Sequence, residues 1–264
     1  MSGKLSADLP ELVVVTGASS GLGTAICAHL IASKVKVIGV DLGAAPDLGK
    51  AVGYEHVKGD VTSEDFWKSF AGKLEKSAAK SLGLVTSAAI LDVGTIVEFD
   101  KAMMEKTLSV NIIGTALAMK TVIPRMIALK SGVIVAVGSV DATFAEQQLS
   151  VYAASKGAVR QLTRTVAMDH ARQGIRANVL SPGPMMAGLF ERHMKSANDP
   201  KLFEATRAAR QPNGRILPAG DVADVALFLL SDASRAINGA ELIADGGLTT
   251  SFDFRTGSEG ASIS

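Results

Sequence analysis

The chain has 264 residues, 47% of them hydrophobic and 20% charged, and a formal net charge of +1. That length accommodates one large α/β domain with a substantial core, and the composition excludes a disordered or fibrous chain. A near-neutral balance without a basic run gives no electrostatic source of affinity for nucleic acid or an anionic membrane surface, so a small-molecule partner is expected.

In chain order, residues 12–15 form a first strand that stops at Thr16-Gly17-Ala18-Ser19-Ser20-Gly21-Leu22-Gly23. Leu22, Ile26, Leu30 and Ile31 then recur at helical spacing to about Ser33, and 35–40 is a second apolar strand ending on Asp41. Strand, helix, strand in this order implies a right-handed crossover and a parallel sheet. His56, Val57 and Val61 bracket a third strand ending near Asp60, and Ser63 caps a helix expected to reach about Lys80. Residues 82–85 are a fourth strand, passing into Thr86-Ser87-Ala88-Ala89. A long helix is expected from Asp100 through Asn111 to about Leu129, bent or broken at Pro124.

The fifth strand, 132–137, delivers Gly138 and Ser139 to its carboxyl end, and a helix over 152–172 and a strand over 175–180 follow. Ser181-Pro182-Gly183-Pro184 breaks the pattern, and 185–212 reads as helical pieces that form a substrate lid. An amphipathic helix over 221–231 and a strand over 240–244 lead into Asp245-Gly246-Gly247, and the polar tail 252–264 is expected to be flexible. With no repeat or linker, the pattern predicts a single-domain doubly wound parallel sheet of about seven strands over 1–264, a Rossmann fold with helices on both faces. Its ligand belongs outside the strands' carboxyl ends.

The single cysteine, Cys27, falls in an apolar helical pattern where a buried thiol is expected. MSGKLSADLP lacks the apolar core of a signal peptide, and no run of about 18 apolar residues occurs, so a cytoplasmic location with no membrane partner is expected. His29, His56, His170 and His193 lack metal-ligand spacing; they read as structural or solvated, and no metal is expected.

Three constellations carry chemistry. Gly17, Gly21 and Gly23 sit where a strand turns into a helix, so bare backbone and a helix N-terminus can face a pyrophosphate. Asp41 ends the second strand, where a carboxylate accepts from both ribose hydroxyls and repels a 2′-phosphate. No cation stands at Ser20 or Leu42 to offset that repulsion, so NAD is favoured over NADP. The carboxylate of Asp60 and the amide of Val61 suit an adenine edge. Finally, Tyr152 and Lys156, four apart, share one helix face, and an ammonium beside a phenol of ordinary pKa about 10 favours the phenolate. Singly, each has a plainer reading: a tight turn, a strand-ending aspartate, a lysine snorkelling from a helix.

Together and in this order, these residues resemble the classical short-chain dehydrogenase/reductase family over nearly the whole chain. Thr16 to Gly23 matches its TGxxxGxG cofactor motif, Asn111 its helix asparagine, Ser139 its active-site serine, and Tyr152 with Lys156 its YxxxK. Pro182-Gly183 matches the turn beside the nicotinamide, and Asp245-Gly246-Gly247 the C-terminal end. The resemblance implies that Tyr152 exchanges a proton with the substrate oxygen, that Ser139 anchors that oxygen, and that Lys156 lowers the tyrosine pKa and binds the nicotinamide ribose. Asn111 would hold a water linking Lys156 to solvent. Ser19, Ser20, Leu22 and Ala88 join the glycines, Asp41, Asp60, Val61, Pro182 and Gly183 as implied cofactor contacts.

Two departures from the family pattern stand out. Thr86-Ser87-Ala88-Ala89 occupies the place of the usual NNAG, and Ala187 stands where a threonine often bonds the nicotinamide amide. Family resemblance also implies a homo-oligomer, commonly a tetramer, built on the helices near Asn111 and Tyr152. Their apolar stripes, with Ile112, Leu117, Val159, Leu162 and Val166, equally suit the chain's own core.

The expected substrate wall is apolar: Met185, Met186 and Leu189 from the lid, and Val140, Phe144 and Leu149 after Ser139. Such a wall suits an apolar or cyclic secondary alcohol or ketone. The leading expectation is an NAD-dependent secondary-alcohol dehydrogenase. An NADP-type carbonyl or 3-oxoacyl thioester reductase and a non-catalytic NAD-sensing protein stand as alternatives.

Overall fold

All five residues of β1 (Leu12–Thr16) are buried, as a central strand covered on both faces requires. The computed structural model describes residues 8–48 and 52–250; the tail expected over 252–264 lies outside them. After β1 come α1 (Gly21–Ala32), β2 (Lys36–Asp41), β3 (Tyr54–Lys58), α2 (Glu64–Glu75) and β4 (Leu82–Thr86). Then follow α3 (Lys101–Leu108), α4 (Gly114–Leu129), β5 (Gly132–Val137), α5 (Ser150–His170) and β6 (Ile175–Pro182). The chain continues with β7 (Met185–Met186), α6 (Gly188–Ser196), α7 (Pro200–Ala209), β8 (Leu217–Pro218), α8 (Ala219–Leu230) and β9 (Glu241–Ala244).

Seven strands pair in parallel in the order β3-β2-β1-β4-β5-β6-β9, while β7 and β8 make a separate two-stranded pair. This is the doubly wound order: successive strands are added outward from β1 on one side and from β4 on the other, and the switch between them opens a crevice at their carboxyl ends. Alternation along β1 serves two cores: Leu12 and Val14 pack with α2, α4 and α5, and Val13 and Val15 with α1 and α8. Leu117 and Val159 lie in the first core, with Leu162 and Val166 packed against it, so those stripes on α4 and α5 face the chain's own interior.

Three boundaries differ from the sequence reading. Helix α2 keeps its Ser63 cap, whose Oγ accepts from Phe66 N–H at 3.2 Å, but it ends at Glu75; Arg125 holds the Ser77 carbonyl at 3.0 Å outside the helix. The third strand stops at Lys58, leaving Asp60 in a turn where its Oδ1 accepts from Thr62 N–H and Thr62 Oγ1, each at 2.8 Å. The long helix is interrupted not at Pro124 but by a π turn over Ser109–Ile113. Pro124 is tolerated because Lys120, whose carbonyl it cannot bond, sits on an exposed face where water can serve. Asn111 is buried in the π turn, a feature frequent at functional sites.

The stretch Lys101–Leu129 is long and apolar enough to cross a membrane by composition, yet 44% of its most apolar window is buried inside the fold. Leu117, Ala118, Met119 and Val122 account for that apolarity as core. Cys27 is fully buried as expected, and burial pushes its thiol up to about 12, which leaves it unreactive at neutral pH.

Candidate active site

A cavity of about 420 Å³ opens at the crevice between β1 and β4, lined from Gly17 and Asp41 at one end to Ser139, Tyr152 and Lys156 at the other. Its floor is the turn from β1 into α1. Gly17 has φ +70°, and a β-carbon there would sit 2.7 Å from the Ala88 amide nitrogen, so only glycine lets the two loops meet. Ser20 precedes α1 without a side-chain cap bond, leaving the first-turn amides open toward the cavity. Thr16 ties the loops together, its hydroxyl accepting from Ala88 N–H at 3.3 Å.

Asp41 lines the cavity at the end of β2, held from behind: Oδ2 accepts from Ser19 N–H at 3.0 Å and Oδ1 from Gly43 N–H at 2.8 Å. Gly21, Leu22, Asp60, Val61, Ala88, Pro182 and Gly183 line the same cavity, together with Ala187. A glycine turn without room for β-carbons, an open helix N-terminus and a fixed carboxylate suit a dinucleotide.

Two expected cofactor residues lie outside the lining. Ser19 is turned away, its hydroxyl donating to the Ala44 carbonyl at 2.6 Å, so its part is to fix Asp41 through its amide. Gly23 packs within the turn, where a β-carbon would lie 2.1 Å from the Gly17 carbonyl oxygen.

At the far end, the β5 carboxyl end and α5 bring the acid-base set together. Tyr152 is 8% exposed and Lys156 3%. Lys156 Nζ donates to the Val137 carbonyl at 2.9 Å and lies 5.6 Å from the Tyr152 ring centre. Burial holds the Lys156 ammonium down at about 8, with Asp141 acting in the opposite sense. The phenol runs against expectation: burial, and then the Asp141 charge, push its pKa above the ordinary value, while the nearby Ser139 hydroxyl acts in the opposite sense. Among the chain's own groups, desolvation is the largest influence on the phenol.

Asn111 is not part of the cavity wall. Its Oδ1 accepts from Ile90 N–H at 2.9 Å, and its Nδ2 donates to the Ile90 carbonyl at 3.0 Å and to Ser155 Oγ at 2.9 Å. This side chain fastens the loop after β4 to α5. The replacement of NNAG leaves a mark beside it: the buried Thr86 Oγ1 has no hydrogen-bond partner among the described residues.

Val140, Leu149, Met185 and Leu189 line the substrate end, but Phe144 and Met186 do not. Phe144 is 43% exposed past the turn Val140–Ala142, and Met186 is occupied in the β7 pairing with Pro218. The wall is also more polar than expected, with Asp141, Glu146, Lys106, Arg192, His193 and Arg207 in the lining. Arg207 of α7 pairs with Glu146 at 2.6 Å and lies over the Phe203 ring at 5.2 Å, tying the lid to the loop after Ser139. His193, read from sequence as structural or solvated, packs edge-on against Phe203 with ring centres 5.2 Å apart and faces the cavity. Asp141 stands two residues after Ser139, the one of these polar groups that proximity to a motif residue makes visible in sequence.

Comparison with known proteins agrees with this geometry. A family model described as enoyl-(acyl carrier protein) reductase matches residues 17–249. The 2-(S)-hydroxypropyl-CoM dehydrogenase 3 of Xanthobacter autotrophicus is 32% identical over 247 residues, covering 90% of this chain and 96% of the relative. The cis-4-hydroxycyclohexanecarboxylate dehydrogenase of Sinomonas cyclohexanicum is 37% identical over 254 residues, covering 90% and 96%. Among solved structures, the ligand-free aldohexose dehydrogenase of Thermoplasma acidophilum superposes with a TM-score of 0.86 at 29% identity, covering 94% of this chain and 98% of that one.

Proposed function

The chain belongs to the short-chain dehydrogenase/reductase family, and from that membership we propose that it is an NAD-dependent dehydrogenase interconverting a secondary alcohol and a ketone. The observation that carries this reading is one cavity with Ser139, Tyr152 and Lys156 at one end and Asp41 at the other. When bound, an oxidised nicotinamide supplies the hydride acceptor and a positive charge beside the phenol. Tyr152 exchanges the proton of the substrate oxygen, Ser139 anchors that oxygen, and Lys156 adds positive charge on the same helix face. The turn from Gly17 to Leu22 takes the pyrophosphate, Asp41 the adenosine ribose, Asp60 and Val61 the adenine, and Pro182 and Gly183 the nicotinamide end.

NAD is preferred over NADP because the Asp41 carboxylate, fixed by two backbone amides, opposes a 2′-phosphate and has Leu42 rather than a cation beside it in the lining. That disfavours an NADP-type reductase. A cyclic or short secondary alcohol is the favoured substrate: Val140, Leu149, Met185 and Leu189 supply apolar wall, and the relatives above are dehydrogenases named for a hydroxycyclohexane and a hydroxypropyl compound. Assembly as a homotetramer is what the family resemblance implies for this chain, and sedimentation tests it.

A panel of secondary alcohols and cyclic diols, offered with NAD and with NADP and followed by reduced-cofactor absorbance, tests the proposal. Turnover with NAD on cyclic or short secondary alcohols is expected. No NAD turnover across the panel would overturn it.

A further inference from the structure

We propose that His56 is a positioning residue for coenzyme recognition: from β3 it braces the loop after β2 and thereby holds the Asp41 carboxylate in place for the adenosine ribose. This inference rests on the reading above that Asp41 takes that ribose. β3 is the edge strand of the sheet, and its pairing sets His56 opposite Gly39 of β2. Tyr54 and His56, two apart, project from the same face of β3. Gly39 makes room for the phenol, since a β-carbon there would lie 2.3 Å from the Tyr54 hydroxyl. The two rings are tilted at 35° with centres 6.4 Å apart, and Tyr54 Oη lies 3.2 Å from His56 Nδ1. The other ring nitrogen, Nε2, lies 3.0 Å from the Gly43 carbonyl oxygen.

These contacts select one form of the ring. A carbonyl only accepts, so Nε2 carries the proton; in the neutral imidazole Nδ1 is then an acceptor, and the Tyr54 hydroxyl donates to it. Both ring nitrogens are thereby satisfied, and the bond from Tyr54 fixes the tautomer that the bond to Gly43 requires.

Gly43 passes the brace on to Asp41. Its N–H donates to Asp41 Oδ1 at 2.8 Å, and the Ser19 N–H donates to Oδ2 at 3.0 Å. A carboxylate has roughly four acceptor sites, so two amides leave two for the 2′- and 3′-hydroxyls of a ribose. The loop is gripped at consecutive carbonyls: Gly43 by His56 Nε2, and Ala44 by Ser19 Oγ, which donates to it at 2.6 Å. Residues 42–45 are exposed, so hydrogen bonds rather than packing set where this loop lies. Releasing the Gly43 carbonyl frees Gly43 to turn, and Asp41 loses the amide that orients Oδ1. Neither Gly43, Tyr54 nor His56 lines the cavity, so His56 acts on the coenzyme through the loop.

Calorimetric titration with ADP and 2′-deoxy-ADP, which differ only in the 2′-hydroxyl, tests the brace without turnover. The proteins are wild type, Asp41→Ala, His56→Ala and His56→Gln, with folding checked by circular dichroism. Wild type should prefer ADP by roughly tenfold or more, the loss expected when a carboxylate is left without its hydroxyl partner. Asp41→Ala should abolish the preference, and His56→Ala should narrow it by roughly threefold or more, as losing one hydrogen bond behind the carboxylate would. His56→Gln, whose amide can donate to Gly43 and accept from Tyr54, should restore it at least in part. A loss of stability alone would weaken both ligands alike and leave their ratio unchanged. A folded His56→Ala protein with the wild-type ratio therefore overturns the brace, and leaves the Asp41 reading intact if Asp41→Ala has lost its preference. Wild type without a preference, or Asp41→Ala that keeps it, overturns the ribose reading and the brace with it. If His56→Ala does not fold, Tyr54→Phe takes its place: it keeps the ring and drops the hydroxyl that fixes the tautomer. A narrowed ratio is expected there too, and an unchanged one overturns the brace.

Discussion

Gly21, in the cofactor turn, and Gly188, at the start of α6, meet back to back: a β-carbon on Gly188 would lie 3.1 Å from the Gly21 Cα, and one on Gly21 would lie 3.0 Å from the Gly188 Cα. The start of α6, in the proposed lid, is therefore seated on the turn proposed to hold the pyrophosphate. Both residues also have φ of +57°. Gly188→Ala should cost about 1–2 kcal/mol for the left-handed backbone alone, and it should weaken NAD binding because the turn must give way. Thermal unfolding and calorimetric titration check both effects. Gly72→Ala is the control: nothing lies within 4 Å of a β-carbon there, and a helix-interior glycine replaced by alanine should gain about 0.5–1 kcal/mol.

In the proposed reading, cofactor choice rests on Asp41. Replacing it with alanine and Leu42 with arginine removes a carboxylate and supplies a cation at the same end of the cavity. The ratio of kcat/KM for NAD to that for NADP should fall at least tenfold, ~1.4 kcal/mol of discrimination. An unchanged ratio would place discrimination elsewhere.

What was legible in the sequence was what local pattern determines. The glycine turn, Asp41 and the four-residue spacing of Tyr152 and Lys156 declare themselves because each depends on one strand end or one helix face. The π turn at Asn111 depends on which loop its amide fastens, whereas the sequence pattern from Asp100 to about Leu129 reads as one long helix whose only mark of a break is Pro124. The polar end of the substrate wall was hidden for a related reason: Arg207 and Glu146 stand far apart in the chain and meet only when the lid folds down. Phe144 and Met186 failed as lining residues because a hydrophobic residue near a site has no sequence mark saying which way it faces.

Lys156 carries a pH signature. Its native pKa of about 8 lies below the ordinary lysine value of 10.5, so the unfolded chain binds more protons between those values and stability rises with pH across that window. The cost of burying the charge is fully present below pH 8 and is lost as pH rises to about 10.5, a change of about 3 kcal/mol. Lys156→Met removes the titration. Urea unfolding of both proteins at pH 7.5 and 10.5 should show the mutant's relative stability falling by an amount of that order; a constant difference would contradict it.

Thr86 marks where the chain departs from NNAG at a small cost. Its buried hydroxyl lacks a partner among the described residues, and an unsatisfied buried group costs about 1–3 kcal/mol. Thr86→Val, of similar shape, should therefore raise the melting temperature by roughly 2–4 °C per kcal/mol recovered, without loss of NAD binding.

The central claim is that Tyr152 performs proton exchange in a cavity that binds NAD through other residues. The most direct measurement pairs turnover with binding in Tyr152→Phe, which keeps the ring and removes only the hydroxyl. NAD affinity by calorimetry should stay within a few-fold of wild type while alcohol oxidation falls by at least 10²-fold, the low end of positioned acid-base catalysis. A Tyr152→Phe protein that still oxidises the substrate at the wild-type rate would contradict the account.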